Sequence, residues 1–290
     1  MKGTIIFLLL AACSNRTMAQ TIHQNKLIAA QQIKERQIYE YTLVNEKATG
    51  DSILVGHSEY NALGYPVLNI SIDPSIASRH KEVTEYLHDS VIVKITFYAK
   101  DNSISSVSTY GYDSLGKHVK NTNHFLRPSK TSPDTSFYFI VYDQQNRIKE
   151  SCLDEGKGKK YSVKYEYDAL GNMVKYYSSD AAGKSLHVEG LAYDSRRNIV
   201  RNYDLDGGKK RLLGENTYNA LNQRVEKRTF STRKVKKHFF SLEYRSKKRN
   251  EHLVKYYYDP TGLLRWEERY FNSKCIGQYR YNYTSATSGK

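Results

Sequence analysis

The amino-acid sequence predicts an all-β protein, an antiparallel β-hairpin repeat meander forming one twisted or coiled sheet. Three observations predict it. Tyr accounts for 26 of 290 residues while Pro accounts for 5 and Trp for 1, a bias toward side chains that favour strands and hold one polar end in water. A strand ending in Tyr recurs from Tyr60 to Tyr244 with steps of 26, 26, 30, 25, 26, 25 and 26 residues. Between these corners the pattern has a period of two: Tyr161, Val163, Tyr165 and Tyr167 share one face, and Ser162, Lys164 and Glu166 the other. His238, Phe240, Leu242 and Tyr244 repeat that alternation. A hydrophobic content of 39% excludes wholesale disorder. After residue 12 no apolar run approaches the roughly 20 residues that cross a bilayer as a helix.

The chain opens with an address. Met1-Lys2 followed by the apolar stretch Thr4 to Ala12 reads as an export signal over residues 1–19. Two processing outcomes compete. Thr17-Met18-Ala19 before Gln20 offers the small residues a signal peptidase prefers, whereas Leu10-Ala11-Ala12-Cys13 resembles a lipoprotein signal and makes Cys13 a lipidation candidate. Residues 20–35 form a lead-in, with helix credible only near Gln24 to Gln37, although Ile38 to Val44 already alternates as a strand.

The repeat domain is expected over residues 36–283, opening with a hairpin from Arg36 to Asn61. Its clearest corners are Tyr60-Asn61-Ala62-Leu63-Gly64, Tyr112-Asp113-Ser114-Leu115-Gly116 and Tyr167-Asp168-Ala169-Leu170-Gly171. Weaker copies begin at Tyr142, Tyr193 and Tyr218, and degenerate ones at Tyr86 and Tyr244. Asp or Asn bonds the backbone of its own turn and Gly supplies the positive φ of a tight reversal. Asp113, Gly116, Asp168, Gly171, Asp259 and Gly262 are therefore structural turn residues. Second corners, such as Asp180 to Lys184 and Asp204 to Gly208, divide each repeat into two strands, giving about 16 or more in all. The one long step holds the turn-rich insertion Pro128 to Pro133, and residues 284–290 read as a flexible tail.

These corners resemble those of the bacterial RHS/YD-repeat proteins, whose repeat carries a Tyr-Asp-x-x-Gly turn between aromatic strands. The resemblance covers roughly Tyr60 to Tyr283. Gly262-Leu263 followed by Arg269-Tyr270-Phe271, and the preceding Asp259-Pro260-Thr261-Gly262, are similar to the end of that family's core. It implies a non-enzymatic binding scaffold, with carbohydrate as a ligand class. Large members of the family close a shell around a C-terminal toxin; no second Asp-Pro-x-Gly follows Phe271 here, and a toxin domain is not expected.

Catalytic chemistry finds no support in the residue pattern. Asp154-Glu155 and Glu267-Glu268 are sequence neighbours that point to opposite strand faces and read as solvated surface. His57 and Glu59 can share a face, but one such pair is not a metal site, and no Gly-x-Ser-x-Gly nucleophile turn occurs. The corner aspartates lack a calcium-repeat pattern, and Asn replaces them at Asn61 and Asn219; no cofactor or metal is expected. Without Cys13, only Cys152 and Cys275 remain. If the repeats stack in order, these lie on the order of 45 Å apart and stay reduced, whereas a disulfide-range separation would mean that the sheet closes on itself.

Charge is the sharpest signal. Residues 201–290 hold 21 Lys+Arg against 9 Asp+Glu, most of the chain's net +15. The candidate basic patch comprises Arg224, Lys227, Arg228, Arg233, Lys234, Lys236, Lys237, Lys247, Lys248 and Arg249. The bland alternative is that these charges only blunt exposed strand edges. Tyr256, Tyr257, Tyr258 and Trp266 are candidate aromatic binding residues, with Tyr256 and Tyr258 on one face and Tyr257 on the other. Export moves the expected polyanion from nucleic acid to anionic glycan, lipopolysaccharide or lipid head groups, with membrane contact peripheral or by lipid anchor. The expected location is the periplasm, cell surface or extracellular space. The leading expectation is an exported, non-enzymatic binding scaffold of the cell envelope. The alternative is a structural or secretion-associated shell fragment docking another polypeptide, and the weakest is a glycan hydrolase. A concave Tyr-lined face favours glycan; a long unpaired edge favours a protein partner.

Overall fold

The computed structural model describes residues 24–285 except 74–77, 89, 127–133, 157, 206–207 and 240–241; side chains are described for all of these but 78 and 232–249. The expected export signal over residues 1–19, Cys13 and residues 286–290 lie outside the described residues. A short helix over residues 24–30 leads into eighteen strands. The first six are β1 (Ile33–Val44), β2 (Lys47–Tyr60), β3 (Pro66–Asp73), β4 (Ser78–Leu87), β5 (Val91–Tyr98) and β6 (Ile104–Tyr112). The next six are β7 (His118–Phe125), β8 (Thr135–Tyr142), β9 (Ile148–Asp154), β10 (Lys160–Tyr167), β11 (Met173–Asp180) and β12 (Ser185–Tyr193). The last six are β13 (Ile199–Asp204), β14 (Arg211–Tyr218), β15 (Arg224–Phe239), β16 (Leu242–Tyr258), β17 (Leu264–Phe271) and β18 (Lys274–Ser285).

Every strand pairs antiparallel with the next, and β1 also pairs with β18, from Ile33 opposite Ser285 to Glu40 opposite Tyr279. The all-β meander is thus closed into a barrel, a correction to the expected twisted or coiled sheet. An open strip would leave two long edges of unpaired backbone groups, and the β1–β18 seam removes both. Local bending accompanies closure. The corner residues Tyr60, Tyr86, Tyr112, Tyr142, Tyr167, Tyr193, Tyr218 and Tyr258 each sit at a β-bulge, which bends the strand and adds twist.

Tyr244 is not a corner. It lies within β16 opposite Lys237, and the true corner follows Tyr258, because the β15–β16 hairpin is lengthened to strands of 16 and 17 residues. The corners themselves form as expected. The Asp113 carboxylate accepts from the Leu115 and Lys117 amides, the Gly116 amide donates to the Asp113 carbonyl, and Gly116 has φ +75°. This is a type I turn closed by a left-handed residue. Asp168 with Gly171 and Asp259 with Gly262 build the same turn.

Ring closure crowds the concave face, and most of the wall's buried polar side chains lie there. Ser58, Ser108, Ser136, Ser151 and Ser178 are buried there beside Val163, Tyr176 and Glu189. Small residues relieve the crowding, and polar ones bond sideways along the wall: Ser108 to Asn123, Asn123 to Ser136, Ser151 to Tyr165, and both Tyr176 and Asn202 to Glu189. Leu263, Val163 and Ser151 are the largest fully buried side chains among the described residues, in keeping with a single-layered wall. The convex face of β9 and β10 carries Glu150, Cys152, Asp154, Lys160, Ser162 and Lys164 rather than an apolar belt. The helix over 24–30 sits at one mouth, where Ile28 and Ile33 pack with Leu263, Tyr60 and Tyr283.

Cys152 on β9 and Cys275 on β18 are both free thiols, nine strand steps apart whichever way the ring is followed. Closure therefore does not bring them together; it puts them on opposite sides. Burial raises the pKa of each.

Candidate functional site

The lengthened hairpin is where the fold and the charge pattern coincide. β14 pairs with β15 only as far as Thr229, and β17 pairs with β16 only from His252 onward. Beyond these points Phe230–Phe239 and Leu242–Glu251 continue as a two-stranded ladder that no third strand joins among the described residues. At about 3.4 Å per residue, this two-stranded ribbon extends roughly 30 Å past its neighbours. Residues 231–250 hold eight Lys or Arg and one acid, Glu243. The register places Arg233 opposite Lys248, Lys234 opposite Lys247 and Lys236 opposite Arg245. Cross-strand like charges destabilise a ribbon, by about 0.2–1 kcal/mol per pair. The side chains of Arg233, Lys234, Lys236, Lys237, Lys247, Lys248 and Arg249 lie outside the described residues.

The three basic residues at the base of the ribbon behave differently. The Arg228 guanidinium is paired with Glu251 at 3.1 Å and Glu226 at 3.4 Å, so its charge is answered locally. Arg224 belongs to the wall: its guanidinium lies 5.1 Å from the Tyr256 ring centroid, and its carbonyl accepts from the Tyr258 hydroxyl. Lys227 is exposed, opposite Asn216 and Val254. The excess positive charge therefore belongs to the ribbon.

The aromatic candidates divide between faces. Tyr256, opposite Glu267, lies on the concave face, and Tyr257, opposite Trp266, on the convex one. Glu268 organises the convex group. Its carboxylate accepts from Tyr257 at 2.9 Å, Tyr270 at 2.7 Å, Gln278 at 3.1 Å and the Trp266 indole at 3.4 Å. Burial alone would raise the Glu268 pKa, but these bonds and the charge of Lys255 lower it. The same geometry pushes the Tyr257 hydroxyl up to about 12, through burial and then its bond to Glu268. Tyr41, across the seam, places its ring centroid 5.3 Å from that of Trp266. The rows of register continue the strip: Trp266 faces Arg280, which faces Tyr39.

The reading of Glu267-Glu268 as solvated surface is corrected here. The pair does point to opposite faces, but Glu267 is buried, bonded by Tyr281 and paired with Arg269 at 2.5 Å. Tyr41, Glu268, Tyr270 and Gln278 had no local signal, since the strip is assembled from strands at both ends of the chain. His57 and Glu59 do share a face, with Nε2 and Oε1 3.3 Å apart. Among the described residues no cluster of metal-ligating side chains occurs.

No family model and no curated protein matches the chain, so the YD-repeat resemblance rests on its corner motifs. Among solved structures it is similar to the TcdB2–TccC3–Cdc42 complex, at 10% identity over 78% of this chain and 16% of that one, with a TM-score of 0.31. The Photorhabdus luminescens Tc holotoxin pore gives 10% identity, the same coverage and a TM-score of 0.30. The chain thus spans about 16% of the length of these two neighbours. A porin-like protein from Bacteroides uniformis is similar over 87% of this chain and 98% of its own, at 10% identity and a TM-score of 0.44.

Proposed function

We propose that this chain is an exported, non-enzymatic β-barrel scaffold of the bacterial cell envelope whose β15–β16 ribbon engages an anionic envelope polymer, an acidic glycan or lipopolysaccharide. The observation that carries this reading is the register of the ribbon, which sets Arg233, Lys234 and Lys236 opposite Lys248, Lys247 and Arg245. An anionic ligand relieves the repulsion between these pairs, and its attraction is concentrated on an element clear of the wall's own carboxylates. Loss of Lys2 and Arg16 with the signal leaves a net +13, so the charge survives export. Tyr257 and Trp266 supply a component that stacks on sugar and does not depend on salt.

The test is binding of the processed chain to lipopolysaccharide and to an acidic glycan, with and without Lys234, Lys236, Lys237, Lys247 and Lys248 changed to Gln. The expected result is an affinity that falls at least about 10-fold for the variant, and falls similarly for the unaltered chain in about 0.5 M salt. Binding indifferent to both changes returns the charge to edge protection. A second reading has its own observation: among the described residues no third strand joins the ribbon beyond Thr229 on β15 and His252 on β16, which favours docking of an extended polypeptide. Capture of a protein partner that survives the five Gln substitutions supports that reading.

A further inference from the structure

All the Tyr-type corners lie at one end of the barrel, because each joins an even-numbered strand to the next odd one. The third residue of the turn sits at the tip, at a type I position that accepts most side chains and gains nothing from an apolar one. From β6 onward the tips alternate around the rim: Leu115, Gln145, Leu170, Arg196, Leu221, Thr261. After the helix over 24–30 the next tip is Leu63. These leucines are 76%, 72%, 68% and 47% exposed in the order Leu115, Leu170, Leu221, Leu63. Leu87, at the remaining corner of the same rim, is 52% exposed.

Side chains bridge neighbouring corners. Arg196 donates to the carbonyls of Asn219 and Ala220 in the next corner, and Arg197 reaches back to Asn172 and to the Leu170 carbonyl. Lys117 bonds Asn146 in the same way. Around the ring Leu63, Leu115, Leu170 and Leu221 stand four, four, four and six strands apart, not in a patch on one side. A surface laid across the mouth meets leucines on all sides of it; a globular partner of ordinary size covers one arc. The chain enters the fold through this same mouth. Gln24 donates to the Gly262 carbonyl, and Gly64 approaches Asn25 and Ala29 of the helix closely. The apolar residues 4–12 and Cys13 precede that helix in sequence. Ten residues separate Cys13 from Gln24, a reach of at most about 35 Å when extended.

We infer that this rim is a membrane-docking face: the barrel stands end-on on a phospholipid surface, with the tips of Leu63, Leu115, Leu170 and Leu221 entering the bilayer interface. Insertion removes exposed apolar area from water at several well-separated points. The inference is independent of the ribbon, which projects from the opposite rim.

The test uses the chain carrying Cys13→Ala, so that no acyl anchor contributes, and flotation with vesicles of phosphatidylethanolamine and phosphatidylglycerol. About 0.5 M salt, where the Debye length is near 4 Å, screens the ribbon. The expected result is flotation of the parent and at least a 10-fold loss when Leu63, Leu115, Leu170 and Leu221 are all changed to Ser, with an unaltered thermal transition. Gln145 and Thr261 occupy the same turn position, so polar residues there are compatible with folding. A second measurement places the only indole on the rim, with Leu170→Trp in a Trp266→Phe chain; its emission should shift to the blue on adding vesicles. No flotation of the parent, equal flotation of the Ser variant, or an unmoved emission overturns the inference.

Discussion

The Tyr167 hydroxyl donates to the Ile148 carbonyl oxygen at 2.7 Å, latching the end of β10 to the start of β9. The same bond recurs from Tyr86 to Pro66, Tyr112 to Ile92, Tyr142 to His118, Tyr193 to Met173, Tyr218 to Ile199 and Tyr258 to Arg224. Each latch joins one corner to the one before it, which explains why the recurring residue is Tyr and not Phe. Removing the donor takes this bond from the carbonyl, which at Ile199 alone also accepts from the Asn216 side chain. Tyr167→Phe should cost about 1 kcal/mol in urea unfolding, and Tyr112→Phe and Tyr258→Phe, on distant strands, should add to it. A triple variant as stable as the parent would show that the hydroxyls merely meet water.

Gly171 and Gly64 have similar backbone angles, φ +77° and +76°, but different surroundings. A Cβ on Gly171 meets only Arg197 Nη2 at 3.9 Å, whereas a Cβ on Gly64 would lie 2.1 Å from the Asn25 carbonyl oxygen. Gly171→Ala should cost about 1–2 kcal/mol, the strain of the left-handed conformation alone. Gly64→Ala should cost more and free the helix over 24–30, seen as new protease cleavage near residue 30. Equal costs without new cleavage would mean that the helix is not seated on this corner.

Much of this wall is legible in the sequence, because a strand's face depends on period 2 and a corner on Asp, Asn and Gly at fixed offsets. Tyr161, Val163 and Tyr165 fall together as their spacing requires. Closure is not legible: Gln37 meets Asn282 across the seam, and nothing near either residue signals the other. Tyr244 shows the opposite failure, where a spacing that continues the period falls inside a lengthened strand. The Trp266 strip escaped for the first reason, since Tyr41 and Trp266 are neighbours only in a closed ring.

Acid should unfold the barrel through carboxylates held by hydrogen bonds. Arg147 lowers the Asp143 pKa and Asn172 that of Asp168, each with backbone amides. For Glu189, burial acts upward but bonds from His187, Tyr176 and Asn202 prevail, and the pKa is lowered. Folded-state values below the unfolded ones mean stability that is full above the ordinary carboxylate range of about 4 and lost as pH falls through the depressed values. Unfolding free energy should be level near neutrality and decline below about pH 4. Asp168→Asn should flatten part of that decline, as Asn61 accepts the same two backbone bonds without a charge. An unchanged acid profile would contradict this assignment.

The β1–β18 seam is central, since the opposed thiols and the ring of corners both depend on a closed barrel. The most direct measurement is a disulfide across it: Gln37→Cys with Asn282→Cys, which are register partners, in a chain with Cys13→Ser, Cys152→Ser and Cys275→Ser. Mild oxidation should form the bond within one chain, leaving no titratable thiol. It should also raise unfolding stability by several kcal/mol, up to about 5 for so long a loop. A folded chain that keeps two free thiols, or cross-links only between molecules, would show an open strip and contradict the closed barrel.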